Sequence, residues 1–203
     1  MKIRHHYHKN HPFYLFLAFL LIALSIVTIG NDQIVYANEP ISSACEIDYP
    51  PFCFVDDEGW ATGFSIDLMR SALASMGRDV TFLTGTWSEV RGWLESGKIQ
   101  ALPLVGRTPE RESIFDFTFP YMSLHGAIVI RKETTNIKNL NDLKGKRVAV
   151  MKGDNAEEFL LREDRGIEIH TTITFKEALQ ELSEGKYDAV VIQRLVALRL
   201  IQE

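Results

Sequence analysis

The chain has 203 residues, 46% of them hydrophobic and 24% charged, which fits one large or two small globular domains and excludes a disordered polypeptide. Its formal net charge is −5, from 22 Lys and Arg against 27 Asp and Glu, and without a basic surplus the balance argues against a nucleic-acid partner.

The first 37 residues read as an export signal. Lys2, Arg4 and Lys9 precede a long apolar run from Phe13 to Ile29, and Val35-Tyr36-Ala37 supplies a small-residue cleavage site. The run borders on a short membrane span, so an uncleaved anchor is the alternative to cleavage after Ala37. Removal of residues 1–37 takes away three Lys/Arg and Asp32, leaving 19 basic against 26 acidic residues and a net charge of −7. His5, His6, His8 and His11 read as part of the weakly basic signal segment rather than as a metal site. Cys45 and Cys53, the only cysteines, are either a disulfide, as an even pair in an exported chain suggests, or two small buried residues flanking a turn.

From there strand and helix patterns alternate. Phe52 to Val55 is a short strand closed by Asp56-Asp57-Glu58-Gly59. Apolar residues from Ile66 to Met76 recur at helical spacing up to Gly77. Val80 to Leu83 is a strand, and Ser88 is the expected cap of a helix carrying Val90, Trp93 and Leu94. Ala101 to Val105 reads as a buried parallel strand and Gly126 to Ile130 as another. After the polar link Glu133-Thr134-Thr135 a similar series begins. It has a short helix at Leu140 to Leu143, a strand at Arg147 to Met151, and a helix from the Gly153-Asp154-Asn155 cap to Leu161. A strand at Ile167 to His170, a helix at Phe175 to Ser183, a buried strand at Ala189 to Ile192 and a last helix at Gln193 to Ile201 complete it. Two consecutive strand–helix series imply two α/β lobes.

Five segments carry the sharpest information: Tyr49-Pro50-Pro51-Phe52, Gly63-Phe64-Ser65-Ile66-Asp67-Leu68, Trp87, Thr108-Pro109-Glu110-Arg111, and Asp116-Phe117-Thr118-Phe119-Pro120-Tyr121. In this order they resemble the family 3 solute-binding proteins, the periplasmic receptors typified by those for polar amino acids. The resemblance, from about Cys45 to the end, implies an α/β fold of two hinged lobes, each a mainly parallel sheet flanked by helices. The lobes would be residues 38–131 and 132–203, the second incomplete, because family members continue for several more elements. An incomplete lobe is expected to expose Leu195, Val196, Leu198 and Ile201 and to be poorly soluble.

The same resemblance implies a small-molecule ligand, a carboxylate or an amino-acid-like solute, with no cofactor and no metal. Glu46 corresponds to the acidic residue before the aromatic turn, Tyr49 to a stacking ring and Trp87 to a second wall. Arg111 corresponds to the arginine that grips a ligand carboxylate, the alternative being an ion pair with Glu110, Glu112 or Asp116. Asp154 and Asn155 stand where the family has threonines at a helix start; there Asp154 repels a carboxylate unless it turns away as a cap. Two departures follow. Gln193 replaces the aspartate that holds a ligand ammonium, and Leu104-Val105-Gly106-Arg107 lacks the family's hydroxyls. With Val191 to Arg199, these departures resemble the solute-binding domains of membrane-bound sensor kinases. The implied function is ligand binding by hinge closure, as a sensor input with a membrane-embedded signalling partner; the alternative is the binding subunit of an uptake transporter. A periplasmic dehydratase-like enzyme, with Glu46 or His125 as general acid or base, is the reading from another class. No Gly-x-Ser-x-Gly or metal-ligand cluster supports it in the mature sequence.

Overall fold

The computed structural model describes residues 39–202. The export signal and the histidines at 5, 6, 8 and 11 lie outside the described residues.

In the first lobe, β1 (Ile41–Glu46) pairs in parallel with β5 (Val80–Gly85) in a register running from Ile41↔Val80 to Glu46↔Gly85. Between them in sequence, β2 (Asp48–Tyr49), β3 (Cys53–Val55) and β4 (Ala61–Thr62) form a small antiparallel sheet. The aromatic turn is fastened to helix α1 (Phe64–Ser75) through a glycine. Gly63 has φ 112°, and a Cβ there would lie 2.4 Å from the Phe52 carbonyl oxygen. Only a glycine lets the backbones come this close. The amides of Phe64 and Ser65 then donate to the carbonyls of Pro51 and Phe52, each at 3.0 Å.

Helix α2 (Trp87–Glu95) begins earlier than the sequence suggested. Its cap is Thr86 rather than Ser88: the Thr86 hydroxyl accepts from the Glu89 amide while the Glu89 carboxylate accepts from the Thr86 amide. The segment Ala101 to Val105 is not the expected buried strand. It is half-buried and makes a single bridge, Ser43↔Ala101. Pro103 interrupts it, and a proline has no N–H to continue a ladder. Helix α3 (Pro109–Glu112) is one turn capped by Thr108.

The second sheet has the order β6 (Gly126–Val129), β9 (Ala189–Gln193), β7 (Arg147–Met151), β8 (Glu168–Thr172), with β6 antiparallel to β9 and the other pairs parallel. The division expected at 131/132 falls after β6, yet β6 pairs along its length with β9, from Gly126↔Gln193 to Val129↔Val190. A strand's partner is set by non-local pairing, which a local apolar pattern does not carry. All five residues of β9 are buried, as a sheet covered on both faces requires. On one face Ala149, Met151, Val190 and Ile192 pack with Phe175 and Ala178 of α5 (Phe175–Ser183) and with first-lobe residues including Tyr49 and Trp87. On the other, Val148, Val150, Ala189 and Val191 pack with Leu143 and with Leu160 of α4 (Asn155–Glu163). Helix α6 (Arg194–Leu200) buries Val196 completely but leaves Leu195, Leu198 and the following Ile201 exposed.

Cys45 and Cys53 are both buried with free thiols. The Cys45 thiol donates to the Glu46 and Phe54 carbonyls at 3.2 and 3.3 Å, and the proximity of the two thiols lowers the pKa of Cys45 and raises that of Cys53. The structure thus corresponds to the second reading of the pair, two small buried residues flanking the turn.

Candidate functional site

A cleft of about 1190 Å³ separates the lobes. Glu46, Tyr49, Trp87, Val105, Gly106, Arg111, Asp154, Asn155 and Gln193 all line it. Strand ends and helix starts deliver them: Glu46 ends β1, Trp87 opens α2, Asp154 and Asn155 open α4, and Gln193 ends β9. Tyr49 is buried, with its ring 6.3 Å from Phe52 and 6.1 Å from Phe175 across the lobes. Val105 and Gly106 lie on the extended segment that replaces the expected strand, and a Cβ on Gly106 would come within 2.9 Å of the Asn155 amide nitrogen.

Arg111 is the largest fully buried side chain, 1% exposed. Its counterion is none of the neighbours in its own segment. The Nε donates to Glu158 Oε1 at 3.1 Å, Nη1 to the Gly106 carbonyl at 3.1 Å and Nη2 to the Gly153 carbonyl at 3.0 Å. The Trp87 ring centre lies 5.1 Å from the guanidinium carbon, close enough for a cation–π contact. Trp87 also donates its indole N–H to the Gly153 carbonyl at 2.7 Å, so the ring is fixed against Arg111 and the second lobe.

Glu158, in the first turn of α4, receives more than Arg111. Its Oε1 also accepts from Arg91 at 3.0 Å, and its Oε2 accepts from the Thr108 hydroxyl at 3.2 Å. Arg91 in turn pairs with Glu95 at 2.9 Å. A tryptophan, two arginines and a threonine of the first lobe thus converge on one carboxylate and one carbonyl of the second. Arg107 also lines the cleft, where it is exposed and paired with Glu112.

The other side of the cleft is acidic. Asp154 is buried and caps α4, accepting from the Ala156 amide at 2.8 Å. Burial pushes its pKa up to about 6, although that hydrogen bond and the Arg111 charge pull the other way. Glu46 is held well above the usual carboxylate range, first by burial and then by the charges of Asp154 and Asp48. No ion pair to Glu46 forms among the described residues. Gln193 is committed to the fold: its Oε1 accepts from the Val196 amide at 2.9 Å as the cap of α6, and its Nε2 lies 3.4 Å from the His125 carbonyl. Among the described residues no group of three or more His, Cys, Asp or Glu could hold a metal ion, and no helix is long and apolar enough to cross a membrane.

Residues 41–164 match the family described as bacterial extracellular solute-binding proteins, family 3. The chain belongs to this family. It is 32% identical over 157 residues to the L-cystine-binding protein TcyJ of Escherichia coli (strain K12), an alignment covering 76% of this chain and 59% of that protein. It is 30% identical over 192 residues to the probable amino-acid-binding protein YxeM of Bacillus subtilis (strain 168), covering 93% and 72%. Among solved structures it resembles a histidine kinase sensor domain with similarity to periplasmic binding proteins. That match has a TM-score of 0.78 at 30% identity, over 81% of this chain and 72% of that one. The chain thus spans 59% of the length of its cystine-binding relative, and its fold is the two-lobed α/β fold of these receptors.

For this solute-binding protein the sequence missed Glu158 as the partner of Arg111, and Arg91 and Thr108 as further donors to Glu158. Glu158 carried one signal, an acidic residue close to the α4 N-terminus, where the helix dipole favours negative charge. Nothing in the sequence joined it to an arginine 47 positions away. The capping role of Gln193 was more legible, since it immediately precedes a helical pattern.

Proposed function

We propose that this protein binds a small polar solute, amino-acid-like in size, in the cleft between its lobes, and serves as an extracytoplasmic receptor rather than as an enzyme. The observation that carries the reading is the convergence of both lobes on one cleft, with α4 of one lobe meeting α2 and the arginine motif of the other. In such a fold a solute that contacts both walls favours closure by its differential affinity for the closed state. Family membership and the amino-acid- and cystine-binding names of its relatives support the solute class. The likeness to a sensor domain favours an input role in a membrane-bound signalling receptor placed in the periplasm. Service as the binding subunit of an uptake transporter is the second reading, favoured by the curated relatives.

A thermal-shift screen of amino acids, amines and carboxylates tests the binding reading. At least one solute is expected to raise Tm by mass action, and Glu46→Gln is expected to weaken that solute at least tenfold, since Glu46 faces the cleft but takes no part in the interlobe contacts of Arg111. A solute that stabilises both forms equally binds elsewhere and refutes the assigned site. Between the two roles, a membrane span followed by kinase-like modules encoded downstream would exclude the transporter.

A further inference from the structure

In the arginine motif of this chain the guanidinium already has a carboxylate. Arg111 is almost completely buried, and each of its three nitrogens donates to a protein acceptor, two of them in the second lobe. Its anionic partner is Glu158, whose two oxygens also take Arg91 and the Thr108 hydroxyl. The Thr108 hydroxyl and the guanidinium are the first-lobe groups suited to a carboxylate arriving at this motif, and both are on Glu158. Charge balances within the cluster: Arg91 and Arg111 face Glu158 and Glu95. A second carboxylate entering the cleft would find no unneutralised cation here and would approach Asp154 and Glu46, which line the same space.

We propose that Glu158 is a specificity-determining residue, an internal carboxylate that takes the place of a solute carboxylate on Arg111. The arginine motif is therefore closed to a solute carboxylate. The argument rests on the cleft being the solute site, but its central claim concerns Arg111 and is tested without a solute. Being part of the chain, Glu158 is present at a high effective concentration that a free carboxylate at low millimolar level does not match. Deleting it leaves a buried guanidinium beside a space of carboxylate size.

The experiment is chemical rescue of the full-length protein. Tm is measured for the wild type, Glu158→Ala, Glu158→Gln and Arg111→Leu in sodium formate and, at equal ionic strength, in sodium chloride. The wild type is expected to respond equally to the two salts. Glu158→Ala is expected to melt about 5 °C or more lower in chloride and to regain at least half of the loss in formate. Glu158→Gln, which keeps the shape and an acceptor for Thr108 but removes the charge, guards against failure of the alanine variant to fold; it should melt below the wild type in both salts and, with its amide filling the space, regain little in formate. Arg111→Leu should show no formate preference. A wild type stabilised by formate over chloride as strongly as Glu158→Ala would overturn the proposal, because Arg111 would then still take an outside carboxylate. So would a Glu158→Ala variant indifferent to formate, or a Glu158→Gln variant as stable as the wild type. A solute screen in which nothing binds would remove the receptor reading yet leave this result standing, so the two failures are distinguishable.

Discussion

Arg111 and Glu46 face the same cleft, yet the protein treats their charges in opposite ways. Around Arg111, charges from both lobes are paired and hydrogen-bonded to completion: Glu158 takes two arginines and a threonine, and the Gly153 carbonyl takes three N–H donors. Around Glu46, burial and the Asp154 carboxylate of the opposite lobe raise the pKa of Glu46, burial raises that of Asp154, and no ion pair to Glu46 offsets this among the described residues. A buried guanidinium with a matched partner bridges the lobes; a half-buried carboxylate without one stores an unfavourable interaction that a proton or a cationic group can relieve.

The largest break in this comparison should come from Glu158→Ala. It strands Arg111 without an anionic partner and should lower stability in urea denaturation by about 3 kcal/mol, the lower end for breaking a buried pair because Glu158 is not fully buried. A loss well under 1 kcal/mol would mean that the carbonyls alone satisfy Arg111. Asp154→Asn tests the acidic side in the opposite direction. The folded-state pKa of Asp154, about 6, lies above its ordinary value of 3.8. The folded form therefore binds the proton more tightly, and stability contributed by Asp154 is full at low pH and falls as pH rises from about 4 through 6. Asparagine keeps the cap on α4 and removes the charge. Denaturation curves across pH 4 to 7.5 should flatten, and stability at pH 7.5 should rise by about 1–3 kcal/mol, the ceiling being set by the size of the pKa shift. A variant with an unchanged slope over that range would place the titration on Glu46 instead. Trp87→Phe is the smallest perturbation. It keeps a ring on Arg111 but loses the hydrogen bond to Gly153, for an expected cost of about 1 kcal/mol and a looser contact between α2 and the α4 loop.

Much of the frame was legible from sequence. Helix α5 falls at Phe175–Ser183, where periodicity and the following Gly185 put it, and Gly63 stands where a backbone contact tolerates nothing larger. The failures have physical causes. Ala101 to Val105 looks like a strand by composition, but Pro103 and the cleft deny it a ladder. The cap of α2 moved from Ser88 to Thr86 because Glu89 could complete a reciprocal pair of hydrogen bonds only with Thr86. The antiparallel pairing of β6 with β9 joins positions more than sixty residues apart and leaves no local trace in the sequence.

The site divides in the same way. The sequence by itself determined which residues would line a cleft, because strand ends, caps and turn residues are local and recur in a recognisable order along a solute-binding chain. Only the tertiary structure decided what each of them does there. Arg111 is neutralised by Glu158, Gln193 is used as a helix cap, and Asp154 meets Glu46 across the cleft, because charge–charge and hydrogen-bond partners are fixed by which lobe surfaces meet, and distance along the chain says nothing about distance between them.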